Sequence, residues 1–188
     1  MSEQAVPSVV CLGFFDGVHR GHQALLQAAR EIARAEGLKV CAHTFDHAPG
    51  NKEFELTTLP EREALLRQAG ADRVAISVFD EHMRHMSGQE FFESVVLKKL
   101  CARHVVCGDD HRFGYRGACG VKELESMCRE RGVGLTVVPP ITLPDGTRVS
   151  SSGIRRALQA GDWAAAESML GRPIPEKIKQ AYARHAEE

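Results

Sequence analysis

The sequence lacks the features that mark several large classes of protein. Its six cysteines form no Cys-x-x-Cys pair, and no apolar run approaches the roughly 18 residues that a membrane span needs. Acidic and basic residues balance, with 25 Asp+Glu against 24 Lys+Arg in 188 residues, whereas a nucleic-acid-binding domain usually carries a strong basic excess. We therefore expect no zinc or dithiol centre, no membrane segment and no nucleic-acid partner.

The N-terminus also lacks a basic segment followed by an apolar one, so no secretory signal is indicated and we expect a cytoplasmic protein. Hydrophobic residues make up 43% of the chain and charged residues 26%. Both values are close to globular averages, and a chain of this length corresponds to about one domain. The sequence leaves the oligomeric state open.

Signals for strands and helices alternate along the first 140 residues. Strands are predicted at residues 6–14, 38–45, 73–78, 104–107 and 135–138. Helices are predicted at residues 22–36, at the capping-box sequences that begin with Thr58 and Ser87, and around Leu124. Because strands that alternate with helices form parallel sheets, the sequence predicts an α/β fold with a doubly wound five-stranded parallel sheet.

The pattern changes after residue 141. Pro144-Asp145-Gly146 is a strong turn signal, and two short helices follow it, the second capped by Asp162. A last polar helix is predicted beyond Pro175. These features predict a small C-terminal helical region.

Ligands bind to an open parallel sheet beyond the carboxyl ends of its strands, where the strand order reverses. The loop at residues 13–22 places a His-x-Gly-His tetrad, His19 to His22, at the start of a helix. A helix N-terminus carries unpaired N–H groups, Gly21 permits close backbone approach, and two imidazoles can donate to phosphate oxygens. The alternative is a pair of solvated loop histidines with a helix cap.

A second group of candidate residues lies at the start of the helix after residue 149, where three serines precede Arg155 and Arg156. Hydroxyls and helix N–H groups can cradle a phosphate chain, and Arg155 can hold it through two hydrogen bonds. The alternative is serine N-capping beside an exposed basic face.

Two further loops follow predicted strands. Residues 108–117 are too rich in glycine and charge for a simple connection, although the adjacent acids Asp109 and Asp110 can also serve to cap the next helix. Residues 44–49, Thr-Phe-Asp-His-Ala-Pro, give the weakest signal by themselves.

Taken together, these segments resemble the adenylyltransferase domain of prokaryotic bifunctional riboflavin kinase/FMN adenylyltransferases, members of the His-x-Gly-His nucleotidyltransferase superfamily. The resemblance runs from Val9 to Pro173 and also includes Leu56-Thr57-Thr58 and the segment from Gly161 to Pro173. It implies a Rossmann-like nucleotidyltransferase domain at residues 1–173, with a C-terminal helix or linker at residues 174–188. No riboflavin kinase domain is expected in this chain, so we expect no phosphorylation of riboflavin.

The resemblance implies that the phosphate of FMN attacks the α-phosphorus of ATP, giving FAD as product and releasing pyrophosphate, with Mg²⁺ bound to ATP. Its partners would be ATP and FMN. The implied catalytic residues are His19, His22, Ser152 and Arg155. The implied ATP-binding residues are Gly13, Phe14, Phe15, Asp16, Gly21, His22, Asp110, Arg148, Ser151, Ser152 and Arg155. The implied flavin-binding residues are Phe45, Asp46, His47, Pro49 and Asp110, and no metal ligands are assigned.

Two segments depart from the family pattern. The family usually has Pro-His-Pro after Thr-Phe-Asp, where this chain has His47-Ala48-Pro49. Because proline restricts the backbone and lowers the ordering cost of binding, its loss, with the flexible pair Gly50-Asn51 following, predicts weaker flavin binding. The serine stretch has Ser152 in place of the usual threonine and Gly153 in place of a larger residue.

Two alternatives remain open at this point, and a third lacks a required motif. A nucleotidyltransferase of the same fold can use another phosphorylated acceptor, such as pantetheine phosphate, nicotinate mononucleotide or glycerol phosphate. A class I aminoacyl-tRNA synthetase fragment would need a Lys-Met-Ser-Lys-Ser-like loop, which is absent. A flavin- or nucleotide-binding protein without turnover is the alternative from a different class.

Overall fold

The computed structural model describes residues 6–49, 55–176 and 178–180. Five strands pair in parallel in the order β3-β2-β1-β4-β5, which confirms the predicted fold class. They are β1 (Ser8–Leu12), β2 (Lys39–Phe45), β3 (Arg73–Ser77), β4 (Ala102–Gly108) and β5 (Gly134–Val138).

The helices connect these strands in chain order. They are α1 (Arg20–Glu36), α2 (Leu59–Gln68), α3 (Glu81–His85), α4 (Gly88–Glu90, continued by a π-helical stretch at Phe91–Lys99), α5 (Val121–Arg131), α6 (Ser151–Gln159) and α7 (Trp163–Leu170). The predicted caps are present: Thr58 and Glu61 form a capping box, and the Ser87 hydroxyl accepts from the Glu90 N–H.

The two faces of the sheet follow from the alternation of side chains along β1. Val10 and Leu12 pack with the π-helical stretch and α5, whereas Val9 and Cys11 pack with α1 and α2. A strand that is buried on both faces reads as a continuous apolar run, as Val9 to Leu12 does. The central strand is therefore held from both sides, and its carboxyl end has a fixed position.

The first strand is shorter than predicted. It ends at Leu12, because Phe15 adopts a φ of 60° and turns the chain out of the sheet. The first helix begins at Arg20 rather than at residue 22, with His19 as its N-cap. Both differences concern the His-x-Gly-His loop, where tertiary contacts override the local apolar pattern.

The C-terminal helical region has its own apolar cluster, in which Ile154, Leu158 and Met169 of α6 and α7 pack against Leu56 and Ile174. The domain boundary at residue 173 stays a prediction. Of the predicted last helix, residues 176 and 178–180 are helical and the remainder lies outside the described residues. Within the described ranges, no helix is long and apolar enough to cross a membrane.

Candidate active site

The strand order reverses at β1, which pairs with β2 on one side and β4 on the other. The loops after β1 and β4 leave the sheet at this edge, and contacts join both of them to the start of α6. Ser151 Oγ donates to the carbonyl of Asp16 over 2.9 Å, and an Arg148 Nη2 bonds Asp110 over 3.0 Å. The loop after β1 thus leads into the start of α1 and also contacts the start of α6, through Ser151 and Arg155. We call the two helix starts, residues 19–22 and 150–155, the cradle.

His19 caps α1 through its ring. Its Nδ1 accepts a hydrogen bond from the backbone N–H of His22 over 3.3 Å. Burial lowers the pKa of His19 to about 4, a hydrogen bond with its own backbone works against this, and Arg172 adds to the lowering. A neutral ring that accepts at Nδ1 carries its hydrogen on Nε2. His19 is therefore a neutral Nε2–H donor near neutral pH.

His22 lies in the first turn of α1 and stacks on His19, with ring centroids 3.6 Å apart and planes 16° apart. Phe15 meets the His22 ring edge-on at 5.1 Å. A Cβ at Gly21 would lie 3.0 Å from Cε1 of His19, so a larger residue there would require the His19 ring to shift. The structure thus brings the two predicted histidines together, with a residue between them that leaves room for the His19 ring.

Asp16 was expected among the ATP-binding residues, but the structure turns its carboxylate inward, where it is 2% exposed. Its Oδ1 accepts from the backbone N–H groups of Leu56 and Thr57 and from the Thr57 hydroxyl, at 2.8, 3.1 and 3.3 Å. Its Oδ2 forms an ion pair with Arg155. The Asp16 side chain therefore positions Arg155 and the segment at residues 56–57, and its contact with ATP stays a prediction.

The three serines before Arg155 have separate positions. Ser150 is the N-cap of α6, since its hydroxyl accepts from the Gly153 N–H over 3.0 Å, so the N-capping alternative holds for this serine. Ser151 bonds the loop after β1, and Ser152 is exposed. A Cβ at Gly153 would lie 3.1 Å from Ser150 Oγ and 3.2 Å from Met169 Sδ, which explains the small residue there.

Arg148 and Asp110, both predicted to contact ATP, contact each other in this structure. One Nη of Arg148 bonds Asp109 over 2.9 Å and Asp110 over 3.0 Å. All three side chains are substantially exposed. An anion that binds Arg148 must therefore compete with two carboxylates.

A cleft of about 890 Å³ opens beside the cradle. Leu12 at the end of β1, with Gly13 and Phe14 of the loop after it, forms part of its wall, so the same loop borders the cleft and leads into the cradle. Phe45, His47 and Pro49, predicted to contact flavin, line this cleft, whereas Asp46 and Asp110 are not among its lining residues.

Aromatic rings from several segments line this space, which we call the aromatic cleft. Phe45 and Phe79 meet edge to face at 5.1 Å, His85 stacks on Tyr115 at 5.0 Å, and His111 stacks on Phe113 at 5.7 Å. The sequence reasoning missed Phe79 and His85, whereas Tyr115 lies in the loop at residues 108–117 that it singled out. A signal existed for Phe79, since it follows the carboxyl end of β3, next to the β2 loop.

Two histidines of the aromatic cleft are held neutral by burial. Burial lowers the pKa of His43 to about 3, with smaller contributions from Lys99 and His111. Burial likewise lowers the pKa of His111 to about 4, with Asp110 acting in the opposite direction. His43 bonds Ser77 through Nε2 over 2.9 Å, whereas the buried Nε2 of His111 has no hydrogen-bond partner among the described residues.

Hydrogen bonds hold the described part of the loop after β2, although its sequence departs from the family pattern. Asp46 Oδ1 accepts from the backbone N–H groups of His47 and Phe79, each over 2.9 Å, and the Ala48 N–H donates to Glu55 over 2.8 Å. Desolvation opposes ionisation of Asp46, but the donors around it hold its pKa below the ordinary value. Gly50 and Asn51 lie outside the described residues, and weaker flavin binding stays a prediction.

Arg62 of α2 is a structural residue of this site that the sequence reasoning missed. It is fully buried, and its Nη1 donates to the Phe14 carbonyl over 3.1 Å while its Nη2 bonds Glu55 over 3.3 Å. Its guanidinium also lies 4.1 Å from the Phe14 ring centroid. An arginine in a helix usually indicates a solvated face, so only the fold reveals this role.

Comparison with known proteins gives one family. A family model described as FAD synthetase matches residues 1–153. A bifunctional riboflavin kinase/FMN adenylyltransferase of Pseudomonas fluorescens is 38% identical over 172 residues, which are 88% of this chain and 55% of that protein. The protein of the same description from Escherichia coli K12 is 34% identical with the same coverage.

The chain thus spans about half the length of these curated relatives. A relative from Geobacillus thermodenitrificans is matched over 91% of its own length, at 33% identity. The crystal structure of a macrolide-efflux protein from Streptococcus pneumoniae superposes with a TM-score of 0.79 at 30% identity, over 89% of this chain and 57% of that one. A pantoate–β-alanine ligase from Francisella tularensis shares only the fold, at a TM-score of 0.52 and 14% identity, over 98% and 79% of the two chains.

Proposed function

The chain belongs to the FAD synthetase family, and from that premise we propose that it transfers AMP from ATP to FMN, giving FAD and pyrophosphate. The observation that carries the proposal is the shared loop at residues 13–22. Its first residues line an aromatic cleft of about 890 Å³ and its last residues begin a helix beside a second helix N-terminus. A flat aromatic acceptor and a polyphosphate donor fit these two neighbouring surfaces.

The reaction is an in-line transfer between two anions. A phosphate oxygen of FMN forms a new bond to the α-phosphorus of ATP, while the bond from that phosphorus to the bridging oxygen of the β-phosphate breaks and pyrophosphate leaves. Such a transfer needs no covalent protein nucleophile. Positioning and charge neutralisation therefore provide most of the catalysis.

The cradle supplies donors of three kinds for this purpose. The N-termini of α1 and α6 have backbone N–H groups and a partial positive charge, which favour phosphate. His19 adds an Nε2–H donor without a full charge. Arg155 adds a guanidinium whose direction is fixed by Asp16. Because such a donor is already oriented, little free energy is spent on reorienting it during the reaction.

Mg²⁺ enters the proposal as the ion that accompanies ATP, where it would neutralise phosphate charge. In the described part of the chain, no group of three or more His, Cys, Asp or Glu residues has the arrangement of a metal site. This fits Mg²⁺, which usually keeps several waters and takes substrate phosphates with one or two carboxylates. Asp109 and Asp110 are exposed carboxylates that pair with Arg148, shortly before the start of α6.

The test is a pyrophosphate-release assay on the purified chain with ATP, Mg²⁺ and one acceptor at a time. We expect release with FMN, and FAD as the product seen by chromatography. Pantetheine phosphate, nicotinate mononucleotide and glycerol phosphate serve as alternative acceptors. Release with one of these in place of FMN would assign another acceptor, and no release with any of them would favour a binding protein.

A further inference from the structure

The loop that carries His19 contains unfavourable backbone conformations. Phe15 has a φ of 60° and Val18 a φ of 40°. Positive φ is uncommon outside glycine and is a genuine outlier for a β-branched residue such as valine. Conformations of this kind persist only where the surrounding structure holds them.

Arg172 holds this loop from the other end of the chain. Its Nη2 donates to the Gly17 carbonyl over 2.5 Å and its Nη1 to the Val18 carbonyl over 3.2 Å. The Gln23 amide also donates to the Val18 carbonyl, over 2.9 Å, and to the Leu170 carbonyl over 3.0 Å. Two adjacent carbonyls immediately before the His19 cap are therefore fixed by a forked cation.

Arg172 is itself oriented by the end of α7. Gly171 ends that helix with a φ of 71°, and its N–H bonds the Glu167 carbonyl over 2.8 Å. The Glu167 carboxylate accepts from the Ile174 N–H over 3.1 Å. A Cβ at Gly171 would lie 3.1 Å from Arg20 Cγ, so this turn lies directly against the start of α1.

We propose that Arg172 is a positioning residue for the transfer reaction: by holding the carbonyls of Gly17 and Val18, it fixes the orientation in which His19 caps α1 and faces the phosphates. This inference rests on the proposed function. A second observation is independent of turnover: the Arg172 charge is one of the factors that lower the pKa of His19, after burial.

The test compares Arg172→Gln, Arg172→Lys and, as a matched control, Arg34→Gln, which removes an exposed arginine far along α1. We expect Arg172→Gln to lower kcat by about 10- to 100-fold, the range that small displacements of catalytic groups produce. Arg172→Lys should recover part of this loss, because it keeps the charge but cannot bond both carbonyls as a fork. Arg34→Gln should stay within about twofold of the native rate.

The readout that separates positioning from stability is the titration of the His19 ring by NMR in the absence of substrate. We expect Arg172→Gln to raise the pKa of His19, with kcat measured well below the melting temperature of each variant. A native kcat, or an unchanged pKa of His19, would overturn the proposal. If Arg172→Gln does not fold, Arg172→Lys decides: a reduced kcat supports the proposal and a native kcat overturns it.

The same experiment separates this proposal from the proposed function. If the native chain forms no FAD, the proposed function is wrong. The His19 titration requires no acceptor and no turnover, so it still decides whether Arg172 acts on this ring.

Discussion

The cradle and the aromatic cleft share the loop after β1 but are held in different ways. In the cradle, long-range polar contacts fix each element: Asp16 joins residues 56–57 to Arg155, Ser151 bonds the Asp16 carbonyl, and Arg172 bonds the loop before His19. In the aromatic cleft, rings from β2, α3 and the loop after β4 meet mainly by stacking and edge contacts.

This difference has a consequence for the two substrates. Hydrogen bonds and ion pairs define direction as well as distance, so the cradle is preorganised for charge that shifts during reaction. Ring contacts define shape and area but fix direction less strictly. We therefore expect changes in the cradle to act on kcat, and changes in the aromatic cleft to act on the KM for the acceptor.

The largest effect is expected in the cradle. His22→Ala and Arg155→Ala should each lower kcat by about 10²- to 10³-fold, the usual cost of one preorganised donor, with smaller changes in ATP affinity. Arg155→Lys should recover only part of the rate because it loses the guanidinium fork. Steady-state kinetics on these variants is the measurement, with exposed Arg156→Ala as the control.

Stability separates the two cradle variants. His22→Ala should keep the native melting temperature, whereas Arg155→Ala removes the cation beside the buried Asp16 carboxylate and should lower it. If His22→Ala has a near-native kcat, or if it fails to fold, the histidine pair has a structural role and the catalytic role is wrong.

The second prediction concerns stability and pH. His19, His43 and His111 have pKa values of about 3 to 4 in the folded protein, against about 6.5 when unfolded. Between these values the unfolded chain binds more protons, so stability falls as pH drops from 6.5 towards 4. The upper limit is about 1.4 kcal/mol per pH unit for each histidine.

Denaturant unfolding at pH 7, 6 and 5 measures this slope. Two of the three histidines line the aromatic cleft. Because the pKa of His111 is lowered in the folded protein, His111→Gln should make the slope shallower, with the exposed His82→Gln as the control. Equal stability at pH 7 and pH 5 would show that these rings bind protons in the folded protein as they do in the unfolded chain, and would contradict the lowered pKa values.

A smaller effect is expected at the mouth of the aromatic cleft. Tyr115→Ala removes the ring that stacks on His85 and should raise the KM for FMN by about 3- to 10-fold, which corresponds to a typical aromatic contact. The values of kcat and of the KM for ATP should not change, and Tyr115→Phe should behave as native. A lower kcat in Tyr115→Ala would contradict the division between the two regions.

The smallest effect is expected in the loop after β2. Changing His47 to proline and Ala48 to histidine restores the usual family sequence and should tighten FMN binding about twofold. Proline restricts the unbound loop by about 0.4–1 kcal/mol, but it also removes the His47 N–H that bonds Asp46. Calorimetric titration with FMN measures the change, with Ala48→His alone as the control, and unchanged or weaker binding would refute the prediction.

The order of elements and the location of the site followed from local pattern. Apolar runs such as Val9 to Leu12, caps such as Thr58 and Ser87, and the rule that ligands bind at the carboxyl ends of parallel strands predict the sheet and its loops. These signals are short in range, because they depend on the period of a helix or strand and on the residues at its ends.

The contacts of each side chain at that edge could not be predicted from local pattern. Asp16 reads as a ligand-binding residue in a loop, yet its oxygens meet N–H groups 40 residues away and an arginine 139 residues away. From the sequence, Arg62 and Arg172 would be expected to lie on the surface with their charges in solvent. In the structure, both donate hydrogen bonds to carbonyls of the loop after β1. Local pattern was therefore enough to predict the fold and the loops of the candidate site. Contacts between residues far apart in the chain set the direction of each polar side chain there, because that direction depends on partners that no local pattern contains.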